Sequence, residues 1–206
     1  MLDRLQRHLG LDVRRPDGDA SARTLTGPDS LLRAFGGASF GGGAYRIHAP
    51  RDVARLTAMA REAFPDLGPG TTCIGSTWCG DQIAVTDTSD GPTVQVLDIA
   101  WGEATDTGLN LEGFHEHLLV TSTDVVLHVS LYRAWRRAGG AVPGPDQCVA
   151  FAVPLFLGGA EELANLDLTS LDVTWGVNGQ LLAQVRDLPP GTAIGEITVV
   201  GPDDPL

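Results

Sequence analysis

The sequence predicts an α+β protein, with mixed helices packed on a largely antiparallel sheet. Three observations carry that expectation. Apolar residues recur at helical spacing through the first 65 residues, the pattern changes to strand-like alternation from residue 71, and a tight turn at Ser89-Asp90-Gly91-Pro92 joins two alternating runs as a hairpin. The chain has 206 residues, 43% of them hydrophobic and 19% charged, enough to bury a sizeable core. It divides into a helical segment 1–65, a central segment 66–140 and a β-rich extension 141–206, expected to pack as one unit.

The elements follow in order. Leu2, Leu5 and Leu9 share one side of a short helix over 2–9, and the polar, turn-rich residues 10–28 read as a surface loop. Asp29 to Phe35 makes a helical turn or two, closed by Gly36-Gly37. Gly41-Gly42-Gly43 enters an extended run, Ala44 to Ile47. Pro50 opens a better helix with Val53, Leu56, Met59, Ala60 and Phe64 on one stripe, and Pro65 ends it. Thr71 to Ile74, Gln82 to Thr86 and Thr93 to Ile99 are strands, the last two forming the hairpin.

Leu111 to Leu119 reads as helix, and Thr121-Ser122-Thr123-Asp124 has the form of a capping box. The helix it opens carries Val125, Val129 and Tyr132 beside Leu127, Leu131 and Trp135. Arg133, Arg136 and Arg137 lie in its last turns, where the dipole favours cations, before Gly139-Gly140. Cys148 to Val153 is an apolar strand. Leu166 and Leu168, then Leu171, Val173 and Trp175, alternate as strand, with a phase slip at Thr169-Ser170 that reads as a bulge or bend. Gln180 to Val185 fits helix or strand. After the turn Pro189-Pro190-Gly191, Ile194 to Val200 reads as a final strand.

The net charge is −12, and all 14 basic residues are arginine. The lack of lysine excludes a Walker-A P-loop, a pyridoxal Schiff base, a Ser-Lys dyad and a kinase-type phosphate lysine. Charge is unevenly spread. Residues 1–61 hold ten arginines and six acids, residues 62–132 eleven acids and no arginine, and residues 133–206 four arginines and nine acids. An acidic field attracts cations and basic proteins and repels nucleic acid, so direct DNA or RNA binding is not expected. The N-terminal MLDRLQRHLG has no apolar signal region, and no apolar run approaches the length of a membrane span. Cys73, Cys79 and Cys148 are odd in number and lack C-x-x-C spacing, which points to reduced thiols and a cytoplasmic protein.

No full catalytic set emerges. Gly37-Ala38-Ser39-Phe40-Gly41 has the letters of a nucleophile elbow, but that elbow needs a strand before Ser39 and a helix after it, the reverse of the order here. His115-Glu116-His117 places its two imidazoles on different helix faces, and no spacing commits Cys79 or His128 to a metal. Neither metal nor cofactor is therefore expected. Asp81 follows Trp78-Cys79-Gly80 in a tight turn that its side chain is placed to cap. Trp78, Trp101, Trp135 and Trp175 are mainly core candidates, with Trp78 or Trp101 available as a contact residue.

The run Trp78-Cys79-Gly80-Asp81-Gln82-Ile83-Ala84-Val85-Thr86-Asp87 resembles the W-x-G-x-Q-aromatic-A-x-D core of a bacterial type VI secretion immunity family, and is distantly similar to the SUKH (Smi/Knr-like) superfamily. Ile83 stands where an aromatic is usual, and Thr86 offsets Asp87 by one strand position. Gly41-Gly42-Gly43-Ala44-Tyr45-Arg46-Ile47-His48 resembles the preceding GAD-like segment. Asp146-Gln147-Cys148-Val149, with Pro154-Leu155-Phe156-Leu157-Gly158-Gly159, is similar to the tail of such proteins, as is Leu188-Pro189-Pro190-Gly191-Thr192. The resemblance implies a non-enzymatic cytoplasmic antidote that binds and neutralises a secreted toxin, a nuclease whose basic surface suits an acidic partner. The residues expected to meet the toxin are Trp78, Asp81, Asp87, Asp90, Asp98, Trp101, Glu103 and Asp106. Two other readings stay open: a regulatory or scaffold module of the same superfamily without a toxin partner, and an enzyme or ligand-binding domain using His115, His117 and a cysteine.

Overall fold

The structure, a computed structural model, describes residues 2–13, 25–189, 191, 192, 195, 198 and 199. Its centre is a seven-stranded antiparallel sheet in which every strand pairs with the next in sequence. The strands are β1 (Leu11–Val13), β2 (Ser39–Phe40), β3 (Tyr45–Ile47), β4 (Thr72–Thr77), β5 (Gln82–Thr88), β6 (Gly91–Asp98) and β7 (Glu103–Asp106). The hairpin β5–β6 turns through Ser89-Asp90, with Thr88 opposite Gly91. The predicted loop 10–28 is thus partly strand, since Leu11 pairs with Phe40; residues 14–24 lie outside the described set.

Burial explains the order. Gln82 to Thr86 of β5 is buried at every position, so this central strand is covered on both faces. Ile83 and Val85 enter one core, with Val94 of β6; Ala84 enters the other, with Cys73 of β4 and Leu97 of β6. The first core is closed by α1 (Asp3–Leu9), α2 (Pro28–Phe35) and the helices after β7; the second by α3 (Val53–Ala63). Both cores draw on all three sequence segments: Leu2, Ile74 and Val149 share the first, and Leu56, Cys73 and Cys148 the second.

After β7 come α4 (Leu111–Gly113), a π-helical turn Phe114–Leu118 and α5 (Leu119–Thr121), which together occupy the predicted helix. The predicted capping box does not form. Thr121 Oγ1 donates to the His117 carbonyl at 2.9 Å, and Ser122 makes no side-chain cap. The long helix expected after it is two helices, α6 (Thr123–Leu127) and α7 (Val129–Arg137), broken at His128, whose φ is +45°. Left-handed backbone at a non-glycine residue is uncommon, and it redirects the chain here.

β8 (Gln147–Phe151) and β9 (Leu166–Ser170) form a separate two-stranded hairpin. The alternation expected through Leu171, Val173 and Trp175 is not strand. Those residues begin α8 (Leu171–Val185), which takes in Gln180 to Val185 and packs on α3 against the second core. The phase slip at Thr169-Ser170 is the helix start: Ser170 is the N-cap, and its Oγ accepts the Val173 N–H at 3.0 Å. The register shifts in the large sheet lie instead in β1, between Leu11 and Val13, and in β4, between Cys73 and Gly75. Ser170→Ala should therefore destabilise the protein by about 1 kcal/mol, read by urea unfolding, because an orphan helix N–H loses its partner. The final strand expected at Ile194 to Val200 falls largely outside the described residues.

Candidate functional site

The turn between β4 and β5 lies in the interior. Gly80 adopts φ +101°, and a side chain there would meet Cys148 Sγ at 3.0 Å, so backbone conformation and space both demand glycine. Two indoles hold the turn. Trp175 Nε1 donates to the Gly80 carbonyl at 2.8 Å, and Trp78 Nε1 donates to the Leu127 carbonyl at 2.7 Å. Asp81 caps the turn as its position suggests: Thr77 Oγ1 donates to Asp81 Oδ2 at 2.9 Å, and Cys79 Sγ donates to the same oxygen at 3.1 Å.

Beside it, Asp98 ends β6. Its Oδ1 accepts the N–H groups of Ala100 and Trp101, both at 2.9 Å, which fixes the turn into β7. His128 approaches from the break between α6 and α7, with Nδ1 3.4 Å from Glu161 Oε1. Donor atoms of Asp81, Asp98 and His128 all lie within 4.8 Å of one another. In number and type the set fits a small cation, but burial favours protons on its carboxyls. Desolvation, followed by the charge of Asp81, pushes Asp98 up to about 7, and desolvation raises Asp81 as well. Burial also pushes the Cys79 thiol well above its ordinary value, so Cys79 serves as a hydrogen-bond donor and not as a thiolate.

A folded state that keeps the Asp98 proton to higher pH binds more protons than the unfolded chain between 3.8 and about 7. Its contribution to stability is fully present below that window and is lost as pH rises through it. Asp98→Asn keeps an oxygen for the two N–H groups and removes the charge. The stability of this variant relative to wild type should rise between pH 4 and pH 8, measured by urea unfolding at several pH values; a difference independent of pH would show that Asp98 does not hold a proton.

The residues expected to meet a partner separate into two groups. Trp78 and Asp81 are buried and offer no surface, because the turn they flank is core. Asp87, Asp90, Glu103 and Asp106 are exposed, Asp98 is half-buried, and Trp101 is 47% exposed at the β6–β7 turn. Asp87 and Asp90 lie at the β5–β6 hairpin tip. Asp98 sits at the other end of β6, about 20–25 Å away by strand geometry. Asp98 and Glu103 are a register pair and share a face, whereas Asp106 opposes Gln95 on the other face. The acids therefore fall at the β5–β6 hairpin tip and along the edge strand β7, and do not form a single flat patch. β7, the last strand of the sheet, is exposed at all four positions. Among the described residues none of Asp87, Asp90, Glu103 and Asp106 forms an ion pair.

The other candidates are structural. His115 is buried, with Nε2 2.8 Å from the Tyr45 hydroxyl and Nδ1 2.8 Å from the Leu111 carbonyl oxygen, while His117 is exposed and accepts from Arg4 Nη1 at 2.9 Å. The two imidazoles serve different neighbours. Ser39 lies on β2 with its Oγ 3.3 Å from Asp12 Oδ2, and no histidine is its partner. Cys73, Cys79 and Cys148 are all buried free thiols. Sequence reasoning did not assemble Asp98 with His128, since thirty residues separate them and only the helix break brings the imidazole in; β7 was missed because Glu103 to Asp106 lacks the apolar alternation that marks a strand.

No protein-family model matches the chain, and no curated protein matches it. Among solved structures it is similar to the crystal structure of Atu4351 from Agrobacterium tumefaciens, with a TM-score of 0.57 over 87% of this chain and 89% of that one, at 14% identity. At that identity the likeness shows a shared fold. Among the described residues, no helix is long and apolar enough to cross a membrane.

Proposed function

We propose that this chain is a cytoplasmic immunity protein that binds a secreted toxin, a basic nuclease domain, and neutralises it by occupying its active surface. The observation that carries the reading is the unpaired acidic edge. Asp87, Asp90, Glu103 and Asp106 project from β5 to β7, within a 71-residue stretch lacking any arginine or lysine, beside the exposed Trp101. A nuclease must present basic surface to hold phosphate, and carboxylates in that place compete with nucleic acid. Glu103 and Asp106 also keep the open edge of the sheet from pairing with a second copy, so the edge is reserved for a partner of complementary charge. On this reading the protein carries out no chemistry of its own, and the resemblance around Trp78 to Asp87 supports the assignment.

The test uses the product of the open reading frame adjacent to this gene. That product, purified alone, should degrade DNA or RNA, and stoichiometric addition of this chain should abolish the activity through a complex visible by size-exclusion chromatography. No complex, or an adjacent product without toxicity, would favour the regulatory or scaffold role.

A further inference from the structure

The acidic edge leaves Gly41 to His48 without a role, although Gly42, Gly43 and Arg46 to His48 line a cavity beside the N-terminal strands. Gly41, Gly42 and Gly43 have φ of +68°, +69° and +89°. Successive left-handed glycines turn their N–H groups into one concavity, an arrangement that binds anions. Here the anion is internal. Gly42 N–H donates to Asp12 Oδ1 and Gly43 N–H to Asp12 Oδ2, both at 2.8 Å. The concavity thus recognises a carboxylate through both of its oxygens. A side chain at position 43 would meet Val142 Cγ1 at 2.8 Å and Arg46 Nη2 at 3.0 Å, so the guanidinium lies beside Gly43.

A cavity of about 540 Å³ opens on this carboxylate, with Asp12, Gly42, Gly43, Arg46 and His48 in its wall and Ala49, Val142 and Pro145 supplying apolar surface. That volume suits a small organic molecule. Arg46 donates through Nη2 to the Pro143 carbonyl, but its Nε is buried and has no partner. His48 gives its Nε2 to Gln82 Oε1 at 2.6 Å, so it fixes the wall without presenting a charge. Asp12 also accepts from Ser39 Oγ at 3.3 Å, but it is exposed and belongs to the three-residue β1, whose partner β2 has two residues.

We propose that this cavity binds a small organic acid, whose carboxylate replaces that of Asp12 on the Gly42 and Gly43 amides beside Arg46, and whose apolar body lies against Ala49, Val142 and Pro145. Asp12 is then a built-in competitor, and the affinity observed is the intrinsic one reduced by the fraction of molecules in which Asp12 has moved away.

The probes are 4-phenylbutyrate and its neutral counterpart 4-phenylbutanol, titrated into the full chain labelled with ¹⁵N, with the Gly42 and Gly43 amides followed by NMR. The acid should shift both amides saturably and the alcohol should not. Asp12→Ala should tighten binding of 4-phenylbutyrate by about tenfold or more, since the competitor is gone. Arg46→Gln should weaken it by about tenfold or more, through loss of a charge-assisted pair. Thermal unfolding checks that each variant is folded, and if Asp12→Ala is not, the wild-type comparison decides alone. Equal shifts with acid and alcohol, no shift with either, or unchanged affinity in folded Asp12→Ala would overturn the proposal.

Discussion

Trp78→Ala is expected to lower stability by about 3–5 kcal/mol, the range for removing a buried aromatic from a packed core. The indole is 1% exposed, and its ring lies 4.9 Å from that of Tyr132. Its position joins all three segments of the chain. The Trp78 N–H donates to the Ala44 carbonyl, the indole N–H to the Leu127 carbonyl, and the Trp78 carbonyl accepts from Val149. Alanine leaves the two main-chain bonds possible, opens a cavity in the first core and strands a buried carbonyl. A single domain is stable by only about 5–15 kcal/mol, so this loss is a large fraction of the whole. Trp78→Phe keeps most of the packing and should lose much less. Urea unfolding of the three proteins checks the point, and a loss under about 1.5 kcal/mol for alanine would mean that the indole does not anchor the core.

Trp78 also shows how sequence reasoning divides. The strand runs, the hairpin turn and the helix after Pro50 were legible because local pattern and burial agree there: β5 is buried on both faces around its apolar centre Ile83-Ala84-Val85, and α3 buries one stripe. Where they diverge, the sequence misleads. Leu171, Val173 and Trp175 alternate like a strand, yet Val173 is exposed while Leu171 and Trp175 are buried, a pattern that helical spacing satisfies once Ser170 starts a helix. The break at His128 has no glycine or proline to announce it. In the candidate site, the uneven charge was visible from residue counts alone, but the burial of Trp78 and Asp81 was not, because it depends on a turn covered by Cys148 and Trp175 from the far end of the chain.

The second large effect concerns association. Asp87, Asp90, Glu103 and Asp106 are exposed and free of ion pairs among the described residues, while Asp106 Oδ1 accepts the Gly108 N–H at 2.9 Å, so changing all four to arginine should cost within about 0.5 kcal/mol at each of the first three sites and about 1 kcal/mol at Asp106. Each reversal adds two charges, which moves the net charge from −12 to −4 and inverts the sign of the edge. Electrostatic steering contributes about 10 to 10³-fold to association rates, and a reversed edge forfeits that gain and opposes encounter with a basic surface. Asp98 is left unchanged because its carboxylate holds the β6–β7 turn.

The association rate of the proposed toxin, the product of the adjacent open reading frame, with wild-type protein and with this fourfold variant, measured at low and at physiological salt, tests the acidic edge most directly. The account predicts fast, strongly salt-dependent association for wild type, and for the variant a rate at least about tenfold lower at low salt that no longer falls as salt is added. Equal rates and equal salt dependence for the two proteins, with both folded, would contradict it.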